Sequence, residues 1–233
     1  MTESITQNWH DVQAQALAAA RAAGRDPTSV QIMAVSKTFP LAAIHAAWQA
    51  GARHFGENYV QEGVDKIQQC TLSPITWHFI GPLQSNKTRL VASHFDWVHT
   101  VDRIKIAQRL NDQRPAERLP LAVCLQVNIS ADPNKSGVTP KALPSLAAAI
   151  AELPRLELRG LMTIPALNLS PSELSADFAQ MAQWMQQLQA QYPTLDTLSM
   201  GMSNDLDIAI AQGSTCIRIG RGIFGERAIK GAV

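Results

Sequence analysis

Eight times along this chain a short apolar run gives way to a stretch with helical spacing, and no other feature constrains the fold as tightly. The runs read as strands over 30–36, 53–55, 76–80, 95–101, 121–128, 156–164, 197–200 and 216–219. Helical spacing follows each of the first seven, over 41–51, 59–69, 86–93, 103–112, 140–152, 171–189 and 203–212, and GRGIFG follows the last. Regular strand–helix alternation predicts a parallel sheet. An open doubly wound sheet competes with a closed barrel, but no G-x-G-x-x-G marks the first strand–helix turn. Eight units in 233 residues fit a (β/α)8 barrel. The expected architecture is therefore one α/β TIM-barrel domain over 1–233, with an extra helix in front.

Local signals support these divisions. Ile5, Trp9, Val12, Ala16 and Ala20 step by three and four, and Gly24 followed by Pro27 stops that first helix. Ser170-Pro171-Ser172-Glu173 has the form of a capping box with proline at the first helical position. Behind it Leu174, Phe178, Met181, Met185 and Leu188 make one core-facing stripe. Asp102 is the expected N-cap of the 103–112 helix, and Ser203 that of the 203–212 helix.

Composition narrows the function classes. Hydrophobic residues at 46% and charged residues at 17% permit a large core and argue against disorder. The 20 Lys and Arg nearly cancel the 19 Asp and Glu, which argues against nucleic-acid or membrane-surface binding. Cys70, Cys124 and Cys216 fit neither a disulfide framework nor a zinc pattern, and Arg53-His54 gathers no metal-type cluster, so no metal is expected. The N-terminus lacks a signal core, and no stretch approaches ~18 uninterrupted apolar residues. A cytoplasmic protein is the expectation.

In this fold the site lies at the C-terminal ends of the strands, and a phosphate is often held by the loops after strands seven and eight. Those loops are 201–205 (GMSND) and 220–222 (GRG). Their glycines let amides approach an anion, Ser203 adds a hydroxyl, and Arg218 and Arg221 add positive charge. Lys37 leaves strand one, which adjoins strand eight in a closed barrel. Such a lysine either snorkels to water or is held as a reactive amine able to form a Schiff base. An amine and a phosphate cradle on one rim are what pyridoxal 5′-phosphate requires.

Five motifs in order carry a resemblance over nearly the whole chain. They are AVSKT around Lys37, HFGENYVQE at 54–62, WHFIGPLQSNK at 77–87, GLMTI at 160–164, and SMGMSNDLDIAI with CIRIGRGIFG between 199 and 225. The chain resembles the pyridoxal-phosphate homeostasis family, whose barrel is similar to the N-terminal domain of alanine racemase. The resemblance implies that pyridoxal 5′-phosphate is held as a Schiff base on Lys37. Ser203 and the amides around Gly220 and Arg221 would take the phosphate, and Arg218 would face the pyridine nitrogen. Asn58 would either touch the ring edge or satisfy its own backbone. It further implies a role in vitamin B6 homeostasis and amino-acid balance, apo forms of enzymes using this cofactor as possible recipients, and no catalytic residue or substantial activity.

The alternative is a fold-type III amino-acid racemase or decarboxylase. Two-base racemization needs a second acid/base on the opposite ring face. Alanine racemase draws that group from a further domain of the partner subunit. The chain ends at Val233, so that domain is expected to be absent and a monomer is expected, with Tyr59 and Tyr192 as the only tyrosines. His78 and His99 read either as satisfied core histidines or as proton-transfer groups. Lys87 and Lys135 read either as solvated lysines or as an extension of an anion-binding rim.

Overall fold

The computed structural model describes residues 2–130 and 135–226. The end of the expected 1–233 domain therefore falls outside the described residues. Eight parallel strands close into a barrel in chain order. They are β1 (Gln31–Val35), β2 (His54–Glu57), β3 (Thr76–Phe79), β4 (Trp97–Val101), β5 (Leu121–Gln126), β6 (Leu156–Met162), β7 (Thr197–Ser199) and β8 (Cys216–Ile219). Around them run α2 (Leu41–Gln49), α3 (Val60–Gln69), α4 (Thr88–His94), α5 (Ile104–Gln113), α6 (Leu143–Ala151), α7 (Pro171–Gln189) and α8 (Leu206–Ala211).

The two faces of each strand serve different cores. Ala34, Phe55, Phe79 and Ile219 join the large apolar layer beneath the helices. Met33, Val35, Ile80 and Cys216 form a separate small cluster, and their alternation with the first set places them inside the barrel. The ring closes where β1 pairs with β8, with Met33 level with Arg218 and Ala34 level with Ile219. On its other side Val35 is level with Gly56.

The extra helix, α1 (Thr2–Ala22), buries Ile5, Trp9, Val12, Ala16 and Ala20, the positions its spacing indicates. It lies against α2, α8 and a short helix not anticipated from sequence, α9 (Arg221–Phe224). The Asn8 amide donates to the Ile223 carbonyl at 3.0 Å, tying α1 to that turn. The capping box of α7 is formed in full by Ser170 and Glu173.

Two expected caps are corrected. α5 begins one residue later, with Arg103 at the N-cap position, and Asp102 pairs at 2.6 Å with the Arg103 guanidinium. α8 begins only at Leu206, with Asp205 at the N-cap position, so Ser203 caps nothing and stands free in the loop for another contact. Several strands stop one or two residues before the apolar run does, and the residues just beyond them, such as Ile80, Val127 and Met200, stay buried.

Gly160 shows how closely the sheet is built. It is level with Thr197 of β7, and a methyl there would overlap the Thr197 carbonyl oxygen. Gly160→Ala is expected to destabilise the barrel by about 2–3 kcal/mol, at the upper end for overpacking, since backbone must move. A urea-denaturation midpoint unchanged from the parent would contradict this.

Candidate functional site

The first rim element follows β1. Ser36 is fully buried and bonds through its amide to the Gly56 carbonyl at 3.0 Å. Lys37, half-buried, comes next, and Thr38 adopts φ 69°. For a β-branched residue that conformation costs roughly 1–3 kcal/mol and must be held by its surroundings. The Thr38 amide donates to Glu62 Oε1 at 2.5 Å. The Ser36 hydroxyl donates to Glu57 Oε1 at 2.6 Å. Lys66 of α3 reaches under the same turn and donates to the Ser36 carbonyl at 2.8 Å, Glu57 Oε1 at 2.8 Å and Glu62 Oε1 at 2.6 Å.

The second element is the pair of glycine loops. Gly201 sits at φ 95°, and a methyl on it would lie 2.6 Å from Ala209 Cβ, so only glycine makes this turn. The Gly222 amide donates to Ser203 Oγ at 3.4 Å, which joins the loop after β7 to the turn after β8. A methyl at Gly222 would stand 2.9 Å from Ile219 Cγ2 and 3.4 Å from the Ser203 oxygen, so glycine is what allows the approach. Gly220 lies directly beside Val35, two residues before Lys37. The structure thus brings Lys37, Ser203, Gly220 and Arg221 to one side of one rim. The Arg221 side chain is mostly exposed and reaches Glu226 only at 3.9 Å.

Arg218 rises through the interior. Its guanidinium donates to Ser199 Oγ at 2.9 Å and to the Thr163 carbonyl at 2.9 Å, just past the end of β6. Burial lowers its pKa below the ordinary guanidinium range, yet a guanidinium keeps its proton under all ordinary conditions. Asn58 follows β2, and its Oδ1 is buried with no hydrogen-bond partner, so this oxygen is not satisfying its own backbone. A methyl at Gly81 would overlap the Asn58 carbonyl oxygen, so the Asn58 backbone is set by close packing against the turn after β3.

His78 and His99 are interior residues, joined to His54 in a chain. His54 Nδ1 lies 3.0 Å from His78 Nε2, and His78 Nδ1 lies 2.9 Å from His99 Nε2. Burial pushes His78 well below the usual histidine range, assisted by His99 and His54. Burial, then the Arg218 charge, then His54, take His99 down to about 3. Both rings are therefore neutral, which favours the core reading. Burial also raises the Cys216 thiol to about 11 and Cys124 well above its ordinary value, so neither is a nucleophile.

The remaining candidates are peripheral. Lys135 donates to the Pro165 carbonyl at 2.8 Å, and Lys87 is half-buried at the end of a short 3-10 turn before α4. Tyr59 is exposed, and Tyr192 lies in the α7–β7 connection, at the opposite end of the barrel from Lys37. Among the described residues no helix is long and apolar enough to cross a membrane. Glu62, Lys66, Thr163 and Ser199 are not singled out by sequence, and His54 is weighed there only as a metal-type residue. The Glu62–Lys66 spacing was the one available signal, and it reads equally as a surface helix pair.

Residues 4–228 match the family described as the alanine racemase N-terminal domain. The chain is 56% identical over 230 residues to the pyridoxal phosphate homeostasis protein of Vibrio cholerae, covering 96% of this chain and 97% of that one. It superposes with a TM-score of 0.80 on PipY of Synechococcus elongatus solved with pyridoxal phosphate bound, at 40% identity, over 95% of this chain and 100% of that one. The alanine racemase of Corynebacterium glutamicum is similar in fold alone, with a TM-score of 0.68 at 14% identity over 100% of this chain and 63% of that one.

The histidine chain sets an acid limit on stability. Above about pH 6.5 the rings are neutral in both folded and unfolded states. Between there and about pH 3 the unfolded chain binds protons that His99 in the folded chain refuses, so stability falls as pH falls. Glu57, whose carboxyl is raised by burial, acts in the opposite direction. The difference between the parent and His99→Gln isolates the histidine contribution. Urea titrations from pH 7.5 to 5 are expected to show a slope of up to about 1.4 kcal/mol per pH unit that His99→Gln reduces. Equal slopes in the two proteins would refute the assignment.

Proposed function

This chain belongs to the alanine racemase N-terminal domain family and within it to the pyridoxal phosphate homeostasis proteins, and from that membership we propose that it binds pyridoxal 5′-phosphate through a Schiff base on Lys37 and helps control the intracellular supply of that cofactor. The observation that carries the reading is the Ser203–Gly222 contact, which ties the two glycine loops together beside the turn that presents Lys37.

The residues present fit the group. Lys37 supplies the amine. Ser203 and the amides of Gly220 and Arg221 would take the phosphate, Arg218 would face the pyridine nitrogen, and the unpartnered Asn58 oxygen lies at the exit of the neighbouring strand. When bound, the cofactor supplies an aldehyde for exchange between amines and a ring that can accept electron density. Arg218 offers only N–H donors, so the ring nitrogen it faces keeps its lone pair and the ring remains a weak electron sink.

The same residues argue for binding over amino-acid metabolism. Tyr59, beside Asn58 at the exit of β2, is exposed and not held over the rim. His78 and His99 are held neutral and bonded to one another. We read the 1–233 chain as a single cytoplasmic, monomeric domain, with apo forms of cofactor-dependent enzymes as recipients. Sedimentation of the purified protein at the mass of one chain tests the monomer.

Borohydride reduction of the cofactor-loaded protein is expected to leave the label on Lys37, located by peptide mapping. Lys37→Ala should lose the visible absorption band yet stay folded. Label recovered only on Lys87 or Lys135 would sink the assignment. In the same titration Ser203→Ala should weaken binding by about 1–2 kcal/mol, the scale for a lost hydrogen bond to a charged group. Affinity equal to the parent's would move the phosphate elsewhere.

Incubation with L- and D-amino acids in deuterated water tests the absence of metabolic turnover. Racemization, decarboxylation and α-proton exchange should all run below ~1 per second, the low end of ordinary enzyme rates. Any of them at or above that rate would make the protein an enzyme.

A further inference from the structure

Resting on the reading of Lys37 as the Schiff-base residue, we propose that Lys66, with Glu57 and Glu62, is the positioning device that fixes where and in which direction Lys37 is presented. The two residues flanking Lys37 are both held by this cluster. Before it, the Ser36 carbonyl takes a bond from Lys66 at 2.8 Å, and the Ser36 hydroxyl gives one to Glu57 at 2.6 Å. After it, the Thr38 amide gives a bond to Glu62 at 2.5 Å. Lys66 links the two sides, because its other two bonds go to Glu57 and Glu62. All three ammonium donors are thereby used.

A purely structural salt bridge is the competing account, and three observations weigh against it. First, Lys66 and Glu57 are buried, with side-chain exposures of 9% and 0%. Burying such a pair seldom stabilises a fold more than apolar packing of the same shape does. Second, the contacts do not spread over the helix–barrel interface but converge on the turn 36–38. Third, that turn contains the left-handed Thr38, a conformation that persists only where the surroundings over-determine it. The Glu62 oxygen that accepts the Thr38 amide is that determinant. Room for the cluster is made by Gly63, where a methyl would stand 2.6 Å from the Phe95 ring and 3.2 Å from Glu57 Cβ.

The cluster also sets the local charge. It combines one cation with two carboxylates, and burial raises the Glu57 carboxyl against the opposing pull of Lys66. A positioned amine differs from a loosely presented one in two measurable ways. It reacts with the aldehyde faster, and its imine titrates at a pH set by the fixed charges beneath it.

The test uses the full chain freed of cofactor and then mixed with pyridoxal 5′-phosphate. Three variants are compared with the parent: Lys66→Met, Glu62→Ala and Glu62→Gln. Stopped-flow absorbance reads the rate at which the Schiff base forms, and a pH titration reads the midpoint of the bound chromophore. Lys66→Met and Glu62→Ala are expected to slow formation about tenfold, as for loss of a hydrogen bond to a charged group. Glu62→Gln keeps an acceptor for the Thr38 amide, so it should restore the rate to within about twofold while lowering the midpoint, because one negative charge is gone. Folding is followed by circular dichroism, and Glu62→Gln, on the half-buried residue, remains informative if Lys66→Met does not fold.

Lowered thermal stability with parent-like rates and midpoints in all three variants would reduce the cluster to a structural role and overturn the proposal. A parent that carries no borohydride label on Lys37 would overturn the functional reading itself, and this proposal with it. A labelled parent beside equally fast Glu62→Ala would overturn the positioning role alone.

Discussion

Closure of the barrel between β1 and β8 is the constraint on which the rest depends. Four residue pairs form that seam, from Gln31 with Cys216 to Ala34 with Ile219. In an open sheet of the same strand order, Lys37 and the Gly220 turn would sit on opposite edges, and no phosphate cradle could form beside the amine. The seam is also where the extra helix goes. α1 lies over α2, α8 and α9, which flank the two joined strands, and Asn8 holds the turn after β8 by its carbonyl. Arg25, just beyond α1, donates to the Ile210 and Ser214 carbonyls at 2.8 and 2.7 Å, anchoring the chain behind the seam. The front helix therefore braces the junction that makes the site.

The interior then has to carry a fixed positive charge. Among the described residues no carboxylate is hydrogen-bonded to Arg218, which is answered by the Ser199 hydroxyl and the Thr163 carbonyl. Its charge helps to keep His99 neutral, and a neutral His99 can bond to His78, which in turn bonds to His54. A protonated ring in that chain would face desolvation first, and at His99 the Arg218 charge as well. Burial, reinforced at His99 by one guanidinium, thus explains why the interior rings stay neutral and why the interior answers to acid by losing stability.

Legibility from sequence followed the range of the interactions involved. The alternation that gives eight strands is local to each element, and so is the α7 capping box, where Ser170 and Glu173 are three residues apart. Lys37, Ser203 and Arg218 could be placed because the fold dictates what meets at strand exits. The caps assigned to Asp102 and Ser203 failed for a common reason. Each side chain takes a partner outside the capping geometry: Asp102 pairs with Arg103, and Ser203 receives the Gly222 amide from 19 residues away. The Ser36–Glu57–Lys66 cluster was invisible because its members are separated by 9 to 30 residues and its meaning lies in burial. A Glu and a Lys four apart on a helix look the same in sequence whether the face meets water or the underside of a reactive turn.

Taken together, the site separates holding from converting. Lys37, Asn58, Ser203 and Arg218 belong to β8 or to the turns after β1, β2 and β7, and these are tied together by the seam, the glycine contact and the cluster beneath Lys37. Conversion needs a proton moved at the amino acid's α-carbon by a group whose pKa lies near the working pH and which stands within bonding distance of it. The interior histidines fail the first condition, since burial holds both far below it, helped by the neighbouring histidines at His78 and by Arg218 at His99. Tyr59, turned out to solvent, lacks the second-layer support that would hold it over a ring. The rim presents its amine beside the paired glycine loops, the arrangement that holding pyridoxal phosphate requires.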